Sequence, residues 1–263
     1  MQKKKQPIGV FDSGIGGLTV LEKLIQTFPN EDFLYVADQG HCPYGTKSQQ
    51  EVGDRVEKVA RYLVEHGAKA IVIACNTASL QIARARAITD VPVISVIQPT
   101  CAKAVSLTKN KKVAVLATVG TIRSGKYQQL LQEAGVTPVP LACSEFVDFV
   151  ESHDVDDPAG EALVAGKLAE IRNEGFDTLI HGCTHFSLLE PQMRKVLGDI
   201  RYVDCGTPTS EYLANYLKEH ALETASTEKG KVQIFTTGSV ENANATMKWF
   251  RAEHAPVAHV EIE

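Results

Sequence analysis

The sequence predicts an α/β protein of two pseudo-symmetric parallel-sheet lobes, with an active site in the cleft between them. Three observations predict it. Short apolar runs alternate with helical patterns along most of the chain, as in a parallel sheet covered by helices. Four such runs come twice: Ile8–Phe11, Phe33–Ala37, Ala70–Ala74 and Val91–Val96, then Val113–Ala117, Val139–Ala142, Thr178–His181 and Arg201–Val203. Set in register, Ile8 aligns with Val113 and Phe33 with Pro138 at one identical offset, and Cys75 with Cys183 and Val91 with Ile200 at offsets only slightly longer, as an internal duplication requires.

Each run is too short for a helix and apolar without alternation, which suits strands covered on both faces. The first ends at Asp12-Ser13-Gly14-Ile15-Gly16-Gly17, a polar turn and glycine-rich helix entry. The third ends at Cys75-Asn76-Thr77, and its counterpart in the second lobe at Cys183-Thr184-His185. Pro43-Tyr44-Gly45-Thr46 reads as a turn. After Pro208, a helical stretch Ser210–Leu217, a strand Val232–Thr236 and a last helix Asn242–His254 have no counterpart. They are assigned to the first lobe, giving residues 1–97 plus 209–263 as one lobe and 98–208 as the other, with the chain crossing near Gln98 and Pro208 to make a hinge.

Composition narrows the function classes. At 263 residues, 44% hydrophobic and 22% charged, the chain is expected to fold into one large or two small domains. A net charge of −5 with scattered lysines, apart from the short runs Lys3–Lys5 and Lys111–Lys112, offers no stripe for nucleic acid. The opening MQKKKQPIGVFDSG does not read as a signal peptide, and no apolar run is long enough for a membrane span, so a cytoplasmic location is expected. Six cysteines without a CxxC pair or a short Cys/His cluster read as free thiols, not as a zinc site.

In open parallel sheets, ligands sit beyond the carboxyl ends of the strands, so the residues directly after each strand carry the functional reading. Cys75 and Cys183 end equivalent strands. If the lobes face each other, two opposed thiols make a two-base enzyme, because inverting a stereocentre through a planar carbanion needs a base on one face and an acid on the other. A helix start beside each sulfur favours the thiolate. The Asp12–Gly17 turn is neither GxGxxG nor a P-loop, which disfavours a nucleotide and leaves a substrate carboxylate as the anion it would hold. Thr118 and Thr121 are expected either to bond a carboxylate or to cap a helix. Asp12 is expected to bind an ammonium or to work with Cys75, and His185 or Glu151 to act near Cys183.

These residues resemble those of bacterial glutamate racemases, in the aspartate/glutamate racemase superfamily. The matching stretches are IGVFDSGIGGLTVL (8–21), YVADQGHCPYGTKS (35–48), IVIACNTAS (71–79), VPVISVIQP (91–99), TVGTIRSGKY (118–127) and HGCTHFSLLEP (181–191). The resemblance implies a flavodoxin-like, two-lobed racemase fold and interconversion of L- and D-glutamate without a cofactor, supplying D-glutamate for peptidoglycan. It also implies a homodimer. By motif, Cys75 takes the proton from the D isomer and Cys183 from the L isomer. Substrate binding is implied for Asp12, Ser13, Tyr44, Gly45, Asn76, Thr77, Thr184 and His185, with help from Thr118 and Thr121, and an assisting role for Glu151 in the looser motif EFVDFVE. His181 stands where the family usually carries a small or aliphatic residue, and Phe186-Ser187 replaces the common Tyr-Pro, departures that bear on substrate preference.

Two rivals stay open. An aspartate or hydantoin racemase would use the same two thiols. A two-lobed solute-binding protein would have a hinge and a polar cleft but no need of paired cysteines.

Overall fold

The computed structural model describes residues 3–263. The chain divides into two compact units, one running to Val96 and resuming at Gly206–Glu263, the other Ile97–Cys205. The crossings therefore fall slightly earlier than Gln98 and Pro208. The helix that begins at Ile97 belongs wholly to the second unit, and the helix that begins at Gly206 packs on the first.

In chain order the first unit contributes β1 (Ile8–Asp12), α1 (Leu18–Thr27), β2 (Phe33–Ala37), α2 (Gln49–Glu65), β3 (Ala70–Ile73), α3 (Asn76–Ser79), α4 (Ile82–Ala87) and β4 (Val93–Ser95). The second contributes α5 (Ile97–Leu107), β5 (Lys112–Ala117), α6 (Val119–Arg123), α7 (Lys126–Glu133), β6 (Thr137–Ala142), α8 (Glu145–Ser152), α9 (Pro158–Leu168), β7 (Thr178–Gly182), α10 (Glu190–Leu197) and β8 (Arg201–Val203). The chain then returns to the first unit with α11 (Gly206–Glu219), β9 (Val232–Thr236), α12 (Val240–Thr246) and β10 (Ala258–His259).

Both sheets are parallel. Their orders are β10-β9-β2-β1-β3-β4 and β6-β5-β7-β8, so the four duplicated strands repeat one topology, second-first-third-fourth. β1, β2 and β3 are buried at every residue, which explains why they read as continuous apolar runs. On one face of the first sheet, Phe11, Val36, Ile71 and Ile73 pack against Val52, Val56, Val59 and Leu63 of α2. Each such fully buried aliphatic side chain stabilises by about 1.5–3 kcal/mol. Helix α2 starts with a capping box, Ser48 accepting from the Glu51 amide and the Glu51 carboxylate accepting from the Ser48 amide.

The structure also differs from the sequence reading at β6, at the last helix and at the outer edge of the first sheet. β6 starts at Thr137 rather than Val139, because it is an edge strand and an edge tolerates Pro138 and Pro140. The last helix is Val240–Thr246, not Asn242–His254. Met247 and Phe250 turn inward, and the chain runs back so that Ala255 donates to the Val232 carbonyl and the unforeseen β10 extends the sheet beside β9. β10 has only two residues, too few to leave a pattern.

Candidate functional site

At the carboxyl ends of β1, β2 and β3 the parallel register brings three chain segments to one level: Asp12 lies opposite Ala37, and Phe11 opposite Ile73. Asp12 is buried. Its Oδ1 accepts from the Ser13 amide at 2.6 Å and from Ser13 Oγ at 3.3 Å. The Cys75 thiol donates to Ser13 Oγ at 3.6 Å, so Asp12, Ser13 and Cys75 form one chain of contacts. Cys75 also caps the short helix α3, its sulfur accepting from the Ala78 amide at 3.4 Å, and the first helical residues, Asn76 and Thr77, are buried beside it. That amide favours the thiolate, as the sequence reading expected of a helix start, but it does not win. Burial first, and then the Asp12 charge, push the Cys75 thiol well above its ordinary range.

Glycine makes the Asp12 corner possible. Gly17 has ordinary helical angles, yet a Cβ there would lie 2.5 Å from Asp12 Cβ, 2.7 Å from Asp12 Oδ2 and 2.7 Å from the Tyr35 hydroxyl. Only a bare Cα lets α1 start this close to the carboxylate and to Tyr35, whose hydroxyl donates to the Gly14 carbonyl at 2.7 Å.

Tyr44 and Gly45 lie on the same unit in a 3-10 turn, Tyr44–Thr46. The Tyr44 ring is buried and its hydroxyl donates to Asp38, a residue the sequence reading did not single out. Asp38 stands just past β2 as Asp12 ends β1, so its strand-end position was the signal available. Burial works to raise the Asp38 carboxyl, but hydrogen bonds from Arg55 and Tyr44 and the Arg55 charge outweigh it and hold the group below the usual range.

In the second unit, Ala117 of β5 pairs with Gly182 of β7, so Thr118 and Cys183 leave neighbouring strands at one level. Thr118 is the N-cap of α6: its side chain accepts from the Thr121 amide at 3.4 Å and donates to Thr121 Oγ1 at 3.1 Å. Cys183 Sγ lies 3.7 Å from His185 Nδ1, and His185 Nε2 lies 3.0 Å from Glu151 Oε1. The carboxylate can only accept, which puts the His185 proton on Nε2 and turns the Nδ1 lone pair toward the sulfur. Glu151 and His185 thus form one relay to Cys183, where the sequence reading weighed them separately. Thr184 is buried beside them.

His181, two residues before Cys183, is fully buried, and neither ring nitrogen has a hydrogen-bond partner. Its Nδ1 is 3.8 Å from Glu190 Oε2, beyond hydrogen-bond reach, and burial lowers its pKa. Of the other cysteines, Cys143 follows β6 at the same level as Cys183, but its thiol is turned back along the chain. Cys143 donates to the Leu141 carbonyl and Cys205 to the His181 carbonyl, both within the second unit's interior. Among the described residues no group of three or more His, Cys, Asp or Glu is arranged to hold a metal, and no helix is long and apolar enough to cross a membrane.

Comparison with known proteins gives a consistent result. A family model described as Asp/Glu/Hydantoin racemase matches residues 8–209. A glutamate racemase from Pediococcus pentosaceus is 38% identical over 262 residues, 98% of this chain and 99% of that protein. The crystal structure of a glutamate racemase isoform from Bacillus anthracis superposes with a TM-score of 0.93 at 34% identity, covering 98% of both chains. A Francisella tularensis glutamate racemase in complex with D-glutamate gives 0.91 at 29% identity, covering 99% of both. An aspartate racemase from Picrophilus torridus, 19% identical with a TM-score of 0.64 over 82% of this chain and 98% of that one, shares the fold alone.

Proposed function

The chain belongs to the Asp/Glu/Hydantoin racemase family, and on that premise we propose that it is an isomerase that interconverts L- and D-glutamate with two thiols, Cys75 and Cys183. One observation carries the assignment of the thiols: in each unit a cysteine stands within two residues past the third strand of the same four-strand parallel topology, joined to a carboxylate through a polar neighbour. For Cys75 the neighbour is Ser13 and the carboxylate Asp12. For Cys183 they are His185 and Glu151.

The two environments divide the labour. Burial and Asp12 keep Cys75 a thiol, the form that delivers a proton. At Cys183, His185 Nδ1 takes the thiol proton and Glu151 stabilises the imidazolium, leaving a thiolate that removes one. L-glutamate therefore loses its α-proton to Cys183 and gains one from Cys75. The turnover leaves Cys183 a thiol and Cys75 a thiolate, the form that runs the reverse reaction. Asn76, Thr77, Ser13 and the Tyr44–Gly45 turn on one unit, and Thr118, Thr121 and Thr184 on the other, supply hydrogen bonds for the substrate's charged groups, with Asp12 positioned for the ammonium. In this reading both proton transfers at the α-carbon belong to the thiols, and no cofactor is called on. The product D-glutamate feeds peptidoglycan synthesis in the cytoplasm, and the protein works as a homodimer; the resemblance in motifs supports these three points.

The experiment is racemisation of L-glutamate in deuterium oxide. Solvent deuterium is expected at the α-carbon of the product, and Cys75→Ala and Cys183→Ala are each expected to lower turnover by at least about 10³-fold. Near-normal turnover by Cys183→Ala defeats the two-base assignment. Turnover of L-aspartate alone defeats glutamate as the substrate, and ligand binding without isomerisation restores the solute-binding reading.

A further inference from the structure

We propose that Arg55 is a positioning residue for substrate binding: through Asp38 it holds the Tyr44–Gly45 turn, and it is itself held by the backbone of Ile262, so a segment more than two hundred residues away sets the affinity for glutamate. The inference rests on the reading that Tyr44 and Gly45 bind substrate.

The Asp38 carboxylate is wholly consumed by its own unit. It accepts from Arg55 Nε and Nη2, both at 2.9 Å, from Thr237 Oγ1 at 2.9 Å and from the Tyr44 hydroxyl, and His41 Nδ1 lies 3.1 Å away. A carboxylate has about four lone-pair positions, so none is left for a ligand. Asp38 is a hub, and Tyr44 spends its hydroxyl on that hub. What the turn has left to offer is backbone, because a helical turn leaves its first amides, here those of Tyr44 and Gly45, unused.

Arg55 sits on the buried face of α2 between Val52 and Val56, where its planar fork spans two partners at once. Two of its nitrogens grip Asp38, and the third, Nη1, donates to the Ile262 carbonyl at 2.8 Å. Ile262 is placed by the strand before it, where Val260 N donates to the Thr236 carbonyl at 2.9 Å, and by packing on the cluster that contains Tyr44, Val52 and Val56. A second tie runs beside the first. Gly40 N donates to Thr237 Oγ1 at 3.0 Å, and Thr236 Oγ1 donates to Gln39 Oε1 at 3.1 Å. The approach is so close that a Cβ on Gly40 would lie 2.7 Å from the Thr237 carbonyl oxygen. The segment from Asp38 to Gly45 is thus suspended from Arg55 and from the end of β9.

The test is Arg55→Lys, which keeps the charge but cannot grip both Asp38 oxygens and Ile262 together. KM for L-glutamate is expected to rise about tenfold, with kcat within about twofold of native, because the thiols are untouched. Tyr44→Phe cuts the same tie at its other end and is expected to raise KM similarly. The double variant is expected to be no worse than the worse single, since both changes break one connection. Thr237→Val, which removes one bond from the hub, is expected to give a smaller KM rise and serves where Arg55→Lys fails to fold. An unchanged KM in these variants, a fall in kcat alone, or KM effects that multiply in the double variant overturn the proposal. Native protein assayed alongside separates the two readings: if it does not turn over glutamate, the functional reading fails and takes this inference with it, whereas native turnover with an unchanged variant KM removes the positioning role only.

Discussion

Gly17→Ala tests whether the Asp12 corner is held by the absence of a single methyl group. Gly17 already has helical angles, φ −63° and ψ −11°, so alanine meets no backbone strain, and the helix-interior preference for alanine of about 0.5–1 kcal/mol is the most it could gain at this N-cap. Space decides the opposite sign. The new Cβ would stand 2.5 Å from Asp12 Cβ and 2.7 Å from both Asp12 Oδ2 and the Tyr35 hydroxyl, each about 1 Å inside ordinary contact. Neither neighbour is the loose end of a flexible chain. Asp12 is short and tied to the Ser13 amide at 2.6 Å, and Tyr35 is fully buried with its hydroxyl on the Gly14 carbonyl. Overpacking of this kind costs about 1–3 kcal/mol, against at most about 1 kcal/mol gained, and leaves a net loss of up to about 3 kcal/mol. The control is Gly166→Ala in the last turn of α9, exposed, where a Cβ meets nothing within 4 Å, so propensity acts unopposed and up to about 1 kcal/mol is gained. Denaturant unfolding of both variants reads the two signs, and racemisation kinetics read the displaced Asp12. Equal stability of the two variants, or native kinetics in Gly17→Ala, refutes the reasoning.

Three further outcomes are expected. Glu151→Gln removes the carboxylate that the His185 relay leans on, and kcat/KM is expected to fall about 10–100-fold, less than for loss of a proton-transfer group. The fall must be equal in both directions, because the enantiomers have equal free energy in water; initial rates from each isomer check it. His181→Leu removes a buried imidazole with no partner and is expected to be neutral or stabilising by about 1 kcal/mol in thermal unfolding. The lowered folded pKa of His181 gives the sign of a pH effect: its neutral form supports stability above the ordinary value of 6.5, and that support is lost as pH falls below it while the unfolded chain takes up a proton. Native stability measured from pH 7.5 to 5.5 should carry this slope and the leucine variant should lack it. Asp177 accepts from Thr108 Oγ1 and from the Lys109 and Asn110 amides; burial opposes its charge, but these bonds prevail and bring it down to about 2. Asp177→Ala is expected to destabilise by about 1–3 kcal/mol at neutral pH. In the native protein the same contribution fades as pH drops from 3.8 through 2, which acid titration of the two proteins compares.

Local pattern alone determined the duplicated strands, the parallel sheets and the strand-end position of Cys75 and Cys183. A parallel strand covered on both faces reads as a near-continuous apolar run, and its carboxyl end breaks into polar residues, so both features are written in consecutive positions. The pairing of His185 with Glu151 was only half visible, because the residues are 34 positions apart and the orientation of α8 brings them together. Helix geometry concealed Arg55 altogether. It occupies an apolar stripe where a valine would serve, and its partners Asp38 and Ile262 stand 17 and 207 positions away. The short β10 and the early end of α12 were likewise settled by what the first sheet's edge and the buried Met247 and Phe250 required. Periodicity is a property of neighbours along the chain, whereas a hydrogen bond to a buried carboxylate is a property of neighbours in space, and folding alone creates the second kind.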